Sequence, residues 1–299
     1  MVKRESPETQ PKAKRARKAR ALVGDAEQHP PSPGPFPTFS RPIVQEVLSV
    51  HSALSTLHPE VIAELSAFKK EDAGTCTRRE VLDSLVGTIF SQNTTDVQSH
   101  KAFAALKQAF PTWEQVRVSD PAPIIEAIRS CGLAEIKTAR IQTILQALKD
   151  ERGECSLEYL RGESDETIKA ALGRFKGVGP KTISCVLMFC LKRFDFPVDT
   201  HVWKIALALG WVPKNASRDQ TYEHLNRIVP PELKYSLHVL LVKHGKVYKN
   251  DVKVLREAMR KMEREGVPPC AARPDILCTD VKPKIDVKPE IDVKPEIVD

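Results

Sequence analysis

A lysine and an aspartate eighteen positions apart hold the most reactive arrangement in this sequence: Lys181 in FKGVGPKT and Asp199 in PVDTHV. Each stands where a helix should begin. Pro180 suits a first helical position, because its missing N–H would find no partner there, and Asp is a common N-cap. Joined by one helix and a turn, the two side chains can face each other across a cleft. An amine attacks as a nucleophile only after losing its proton, and a helix N-terminus and a desolvated pocket both disfavour the ammonium form. A carboxylate opposite can accept protons and stabilise positive charge developing on a sugar. The spacing therefore predicts an uncharged Lys181 amine confronting Asp199. The plainer roles are a phosphate-contacting lysine and a capping aspartate.

The residues around Lys181 predict how it is held. Asp165 to Arg174 reads as a helix with Ile168, Ala171, Leu172 and Phe175 on one side, and TISCVLMFCL reads as a second helix. Between them Gly177 and Gly179 can take positive φ or allow close approach, so the chain can reverse within a few residues. The result is a helix-hairpin-helix. Amides from Gly177 through Val178 and Gly179 to Lys181 and Thr182 then point outward at a helix N-terminus, a site for a phosphate oxygen. Such a hairpin grips a nucleic-acid backbone without reading bases.

The elements that must position these groups are helical. Val81, Leu82, Leu85, Val86 and Ile89 line one face of a helix starting near Thr77. Thr95 with Gln98 predicts a capping box for a helix carrying Val97, Phe103, Leu106 and Phe110. Thr112 with Gln115, Asp120 before Pro121, and Ser217 with Gln220 mark three further starts. Ile141, Ile144, Leu145 and Leu148 form another apolar stripe, and no segment alternates as a strand should. The core is predicted to be all-α.

The chain has 299 residues, 41% hydrophobic and 28% charged, which places it among soluble globular proteins. No apolar run reaches the ~20 residues of a membrane span, and MVKRESPETQ has no signal-like apolar stretch. A net charge of +7 favours a polyanionic partner. The seven cysteines contain no C-x-x-C and are expected to be free thiols, so no metal is predicted. Proline concentrates at both ends, which predicts disordered tails over 1–42 and 266–299. The first carries KAKRARKAR at 12–20, a pattern read by nuclear import or used to hold phosphates. The second repeats Ile-Asp-Val-Lys-Pro-Glu at 285–290 and 291–296. Its VKPE segments fit attachment of a small ubiquitin-like modifier to Lys288 and Lys294, against the plainer reading of a solvated tract.

With FSQNTTDV at 90–97, FKGVGPKT and PVDTHV together, residues 75–248 resemble the helix-hairpin-helix DNA glycosylases of the endonuclease III group. The resemblance implies two helical lobes with DNA in the cleft between them. One is a six-helix barrel over 76–194; the other joins 43–75 to 195–265. It implies that Lys181 attacks C1′ of a flipped-out damaged nucleotide, by family default an oxidised pyrimidine, forming a Schiff base. Asp199 assists, and loss of a proton from C2′ then nicks the strand. Gln92 or Asn93 is expected to fill the gap left by the base, and His201 to be a hydrogen-bonding group beside the DNA. Trp203 and Trp211 are expected to be core or lobe contacts. A monomer is implied. One departure stands out. Members of this group usually hold an iron-sulfur cluster on four cysteines after the HG of the last helix, and KHGKVYKNDVKVLREAMRKMEREG has none. Cys270 and Cys278 supply only two, so no cluster is expected. A helix over 251–264, with Val252, Leu255, Met259 and Met262 on one side, can close the lobe instead. Two other classes stay open on the residues: a helix-hairpin-helix module that holds DNA without reacting, and a monofunctional mismatch glycosylase. In the latter water attacks, and lysine is generally absent at the position of Lys181.

Overall fold

The computed structural model describes residues 34–71 and 79–267. The basic cluster at 12–20, Thr77, Cys270, Cys278 and the repeats with Lys288 and Lys294 lie outside the described residues. Contacts divide the chain into Met1–Gly34 and Pro35–Asp299, and every helix among the described residues lies in the second unit. There are thirteen α-helices and no strand among the described residues.

The helices sort into two cores. The first is built from one continuous stretch: α3 (Val81–Phe90), α4 (Asp96–Ala109), α5 (Trp113–Val118), α6 (Pro121–Ala127), α7 (Ala134–Arg152), α8 (Asp165–Gly173) and α9 (Pro180–Cys185). The stripe Val81, Leu82, Leu85, Val86 and Ile89 is buried, as are Ile141, Ile144, Leu145 and Leu148. At about 1.5–3 kcal/mol per buried aliphatic side chain, such faces supply most of the drive to fold. Seven α-helices rather than six make this lobe. The reason is local: Thr112 and Gln115 close a capping box for α5, Ser119 ends it, and Pro121 starts α6 at once. The box expected at Thr95 is only half formed, because Thr95 accepts from the Gln98 amide but Gln98 does not reach back. Nor does Val97 join the core. It is 73% exposed, since α4 buries the stripe Ser99, Ala102 and Leu106 instead.

The second core joins the two ends of the described chain. It takes α1 (Val44–Leu57) and α2 (Pro59–Glu71) together with α10 (Thr200–Leu209), α11 (Arg218–Ile228), α12 (Pro231–Val247) and α13 (Lys253–Arg264). On α12, Leu233, Leu237, Leu240 and Leu241 follow helical spacing and are buried. Trp211 is buried, and Trp203 packs on the same core while donating from Nε1 to the Ala216 carbonyl at 2.9 Å. The expected boundary at 43 moves toward the N-terminus. Phe36 packs against this core, and its ring meets His224 edge-on at 5.3 Å. An apolar aromatic gains more by covering that surface than by staying in water. On α13, Leu255 is buried and Met259 and Met262 pack on the core just after Val252, leaving the lysines and arginines outward.

Where the chain passes from one lobe to the other, a buried carboxylate ties them together. Asp195 accepts hydrogen bonds from Ser184 on α9 and from Tyr222 (3.1 Å) and Asn226 (3.3 Å) on α11, and pairs with Lys169 on α8 at 2.9 Å. Lys234 on α12 completes the junction, donating to the carbonyls of Phe194 and Asn226 at 2.9 and 2.8 Å. Burial opposes the charge on Lys169, but its hydrogen bond to Asp195 lifts its pKa above the ordinary lysine range.

Candidate functional site

The hairpin between α8 and α9 is built as the glycines suggest, but only one of them needs to be glycine for the fold. Gly177 has φ +85°, and a Cβ there would lie 2.6 Å from the Arg140 guanidinium. Gly179 is extended, caps α9 as its N-cap residue, and would place a Cβ in open space. Val178 is buried in the first core, and its amide bonds the Phe175 carbonyl at 3.0 Å. We expect Gly177→Ala to lose about 1–2 kcal/mol, from positive φ on a residue with a Cβ. Gly179→Ala should stay within about 0.5 kcal/mol of wild type. Chemical denaturation of the two variants checks the contrast.

The second surprise is Gln92. Its Nε2 donates to the Gly177 carbonyl at 3.0 Å and to Thr182 Oγ1 at 3.2 Å, while its Oε1 accepts from Arg140 at 3.0 Å. All of its hydrogen-bonding capacity goes into bracing the hairpin, and Thr182 is buried beneath it. Asn93 is the opposite. It is exposed, sits in the left-handed region at φ 55°, and is followed along the surface by the exposed Val97. Of the two amides, only Asn93 is presented outward.

Lys181 is half-buried one residue into α9, on the wall of a groove of about 620 Å³. The groove runs between α3, α4 and α9, with Ser84, Thr88, Ser99 and His100 on one side and Cys185 and Phe189 on the other. Asp199 is the N-cap of α10, where its Oδ1 accepts from the Val202 amide at 2.8 Å. The capping role is therefore real, and it leaves Oδ2 for other work. The charge of Asp199 acts on Lys181, yet no ion pair joins them among the described residues.

The amine is not uncharged, as the sequence predicted. Cys185 one turn along α9, with Asp199 and Asp96, raises the Lys181 ammonium above the ordinary lysine range, and this outweighs burial. Burial also drives the Cys185 thiol up, so its pull on the amine belongs to the alkaline range in which both groups titrate, and at pH 7 the formal negative charges acting on the amine are the two aspartates. Residue spacing could register the helix terminus and the burial that disfavour an ammonium, but not the acids converging from two other helices.

Beneath the site lies His238, for which no local pattern gave a signal. Its Nδ1 lies 2.9 Å from the Pro197 carbonyl, and its ring is packed between Phe189 and Phe196. Burial pushes its pKa down to about 4 despite Asp199 nearby. The imidazole is neutral, so Nδ1 carries the proton it donates to Pro197. Phe189 belongs to a π-helical turn, Val186–Cys190, that continues α9 where an unbroken α-helix was expected. The Leu191 amide bonds back five residues to Val186 at 3.0 Å, and Lys192 follows at φ 61°. The widened turn lets the chain leave the first lobe within two residues.

His201 is tied down rather than presented. Its Nδ1 lies 2.7 Å from Asn250 Oδ1, and it packs so closely on Gly245 that a Cβ there would fall 2.6 Å from the His201 ring. Gly245 thus permits α10 and α12 to approach. Among the described residues no cluster of three His, Cys, Asp or Glu could hold a metal ion. The donor set of the second lobe does not fit an iron-sulfur cluster either, since no cysteine occurs between Cys190 and Cys270.

Residues 86–231 match the model of the HhH-GPD superfamily of base excision DNA repair proteins. An Arabidopsis thaliana protein provisionally named a DNA glycosylase is 48% identical over 235 residues, 72% of this chain and 80% of that one. The chain belongs to the HhH-GPD superfamily. Within it, the DNA glycosylase/AP lyase ROS1 of Arabidopsis thaliana is 33% identical over 153 residues, 46% of this chain but 11% of ROS1. Endonuclease III of Sulfolobus acidocaldarius is 28% identical, covering 56% of this chain and 74% of its own. Among solved structures, endonuclease III in a non-covalent DNA complex superposes with a TM-score of 0.56 at 19% identity, covering 74% of this chain and 98% of that one. That likeness establishes the all-α HhH-GPD fold with its hairpin.

Proposed function

We propose that the protein is a base-excision DNA glycosylase with AP lyase activity, in which Lys181 attacks C1′ of an everted nucleotide. The observation that supports this most is the lysine itself, half-buried on a groove wall at the base of the hairpin with the charge of Asp199 acting on it. Lys181 passes its extra proton to Asp199, and the amine lone pair forms a bond to C1′ as the bond to the base breaks. The departing base leaves with the electron pair of the broken glycosidic bond and takes a proton from solvent. Ring opening leaves a Schiff base, and loss of a C2′ proton expels the 3′ phosphate. Asn93, at the outer edge of α4, takes the place of the everted base. The Gly177, Gly179 and Lys181 amides hold the backbone at the start of α9, while the Val178 amide stays bonded to the Phe175 carbonyl. The substrate is a duplex with an oxidised pyrimidine, the protein acts as a monomer, and the cluster at 12–20 directs it to the nucleus.

The test is borohydride added during incubation with duplexes bearing oxidised pyrimidines or an abasic site. A covalent adduct and a nicked strand are expected. A protein that binds such duplexes but gives neither across a lesion panel is a binding module instead, and one that releases base without an adduct is monofunctional. The raised Lys181 pKa adds a prediction about pH. Because the free amine must form, the rate should climb with pH toward the alkaline range. Asp199→Asn removes one charge that raises this pKa, so the climb should shift to lower pH while the plateau falls about 10²-fold through loss of the proton acceptor. Single-turnover rates from pH 6 to 10 check both.

A further inference from the structure

One ion pair at the groove is unused by this chemistry. Lys246, in the last turn of α12, meets Asp96, the first residue of α4, at 2.5 Å. The pair joins the two lobes, and Asp96 lines the groove that holds Lys181. Both side chains are well exposed, 48% for Lys246 and 63% for Asp96. An exposed pair contributes little to holding two lobes together, and the buried Asp195 junction already does so. Its placement matters more than its strength. A bare carboxylate on the wall of a groove that must admit a polyanion would repel it, and a lysine on the rim of such a groove is a natural phosphate ligand. In the free protein each satisfies the other.

We propose that on binding DNA Lys246 exchanges the Asp96 carboxylate for a backbone phosphate, and that Asp96, so released, becomes a second carboxylate supporting the positive charge formed at the sugar carbon that Lys181 attacks. This rests on the function proposed above. Asp96 acts as a positioning residue through field rather than contact. The charged or titratable groups around the groove and the amine are Arg79 before α3, Cys185 from α9, Asp96, His100 and Lys107 from α4, Asp199 from α10, and His238 and Lys246 from α12. Of these, only the Lys246–Asp96 pair spans the lobes with both members open to water. Exchange costs little because water already reaches both groups.

The experiment uses the full chain with two duplexes: one carrying a tetrahydrofuran abasic analogue for equilibrium binding, one a natural abasic site for single-turnover borohydride trapping. Lys246→Gln should weaken binding about tenfold and lower the slope of log affinity against log salt by about one, as loss of one phosphate contact does. At subsaturating protein its trapping rate should fall by the same factor as its affinity. Asp96→Asn should bind as well as wild type or better, yet trap about tenfold more slowly, and its pH profile should climb at lower pH because one acid facing the amine is gone. The charge swap D96K/K246D rebuilds the pair in the free protein, so its melting temperature should match wild type while affinity and rate both stay low. A swap that restores affinity and rate overturns the exchange and leaves a static tie between lobes. So does Lys246→Gln with an unchanged salt slope, or Asp96→Asn with unchanged rate and pH profile. A wild type that traps nothing defeats the proposed function instead, and the binding and salt arms still test the exchange of Lys246.

Discussion

Replacing Lys181 with glutamine is expected to abolish the borohydride-trapped adduct and to lower base excision by at least about 10³-fold, while leaving duplex binding nearly intact. Glutamine is one atom shorter but keeps a polar donor, so most of the groove wall formed with Cys185 and Phe189 stays filled. What it lacks is a basic lone pair. The hairpin that grips the backbone is braced by Gln92, Thr182 and Arg140 and anchored by Val178, none of which depends on the amine. Binding and reaction should therefore separate cleanly. The informative measurement is the pair of values on one preparation: affinity for the tetrahydrofuran analogue, and adduct yield with the natural abasic site. An adduct that survives in the glutamine variant would move the nucleophile to another residue.

The second large effect concerns stability. Asp195→Ala is expected to destabilise the protein by about 3 kcal/mol, the low end for removing one partner of a buried ion pair, because Lys169 is 37% exposed and can recover some water. The hydroxyls of Ser184 and Tyr222 and the amide of Asn226 lose their acceptor at the same time. Since Ser184 lies on α9, in the same helix as Lys181, the loss should also loosen the nucleophile's helix. Urea denaturation measures the first effect. Asp195→Asn, which keeps an acceptor but not the charge, should fall between wild type and alanine. Equal stability of all three would show that the junction holds the lobes without this carboxylate.

Much of the architecture was legible because it rests on local rules. Apolar stripes at helical spacing on α3 and α7 named their buried faces residue by residue, and Pro180 marked the start of α9 because its missing N–H costs nothing there. The Ser217 and Thr112 capping boxes formed as their spacing demands. Where the reading failed, the deciding partner came from far along the chain. Val97 has the right period for a core position, but α4 is rotated by its packing so that Ser99 faces inward. Gln92 and Asn93 are adjacent amides with identical local prospects; Gly177, Thr182 and Arg140, brought in from other elements, claim the first and leave the second free. Lys137 of α7 is likewise settled by remote partners: it is buried and donates at 2.8 Å to the carbonyls of Phe90 and Cys131.

By itself the sequence determined the helical class and the hairpin, because helix periodicity, helix starts and the conformational freedom of glycine are properties of a few neighbouring residues. Only the tertiary structure decided the charge on Lys181, the neutrality of His238, the meeting of Lys246 with Asp96 and the carboxylate that joins the lobes. Those depend on how far apart charges sit and how much water surrounds them, and such distances exist only after residues remote in sequence have packed together.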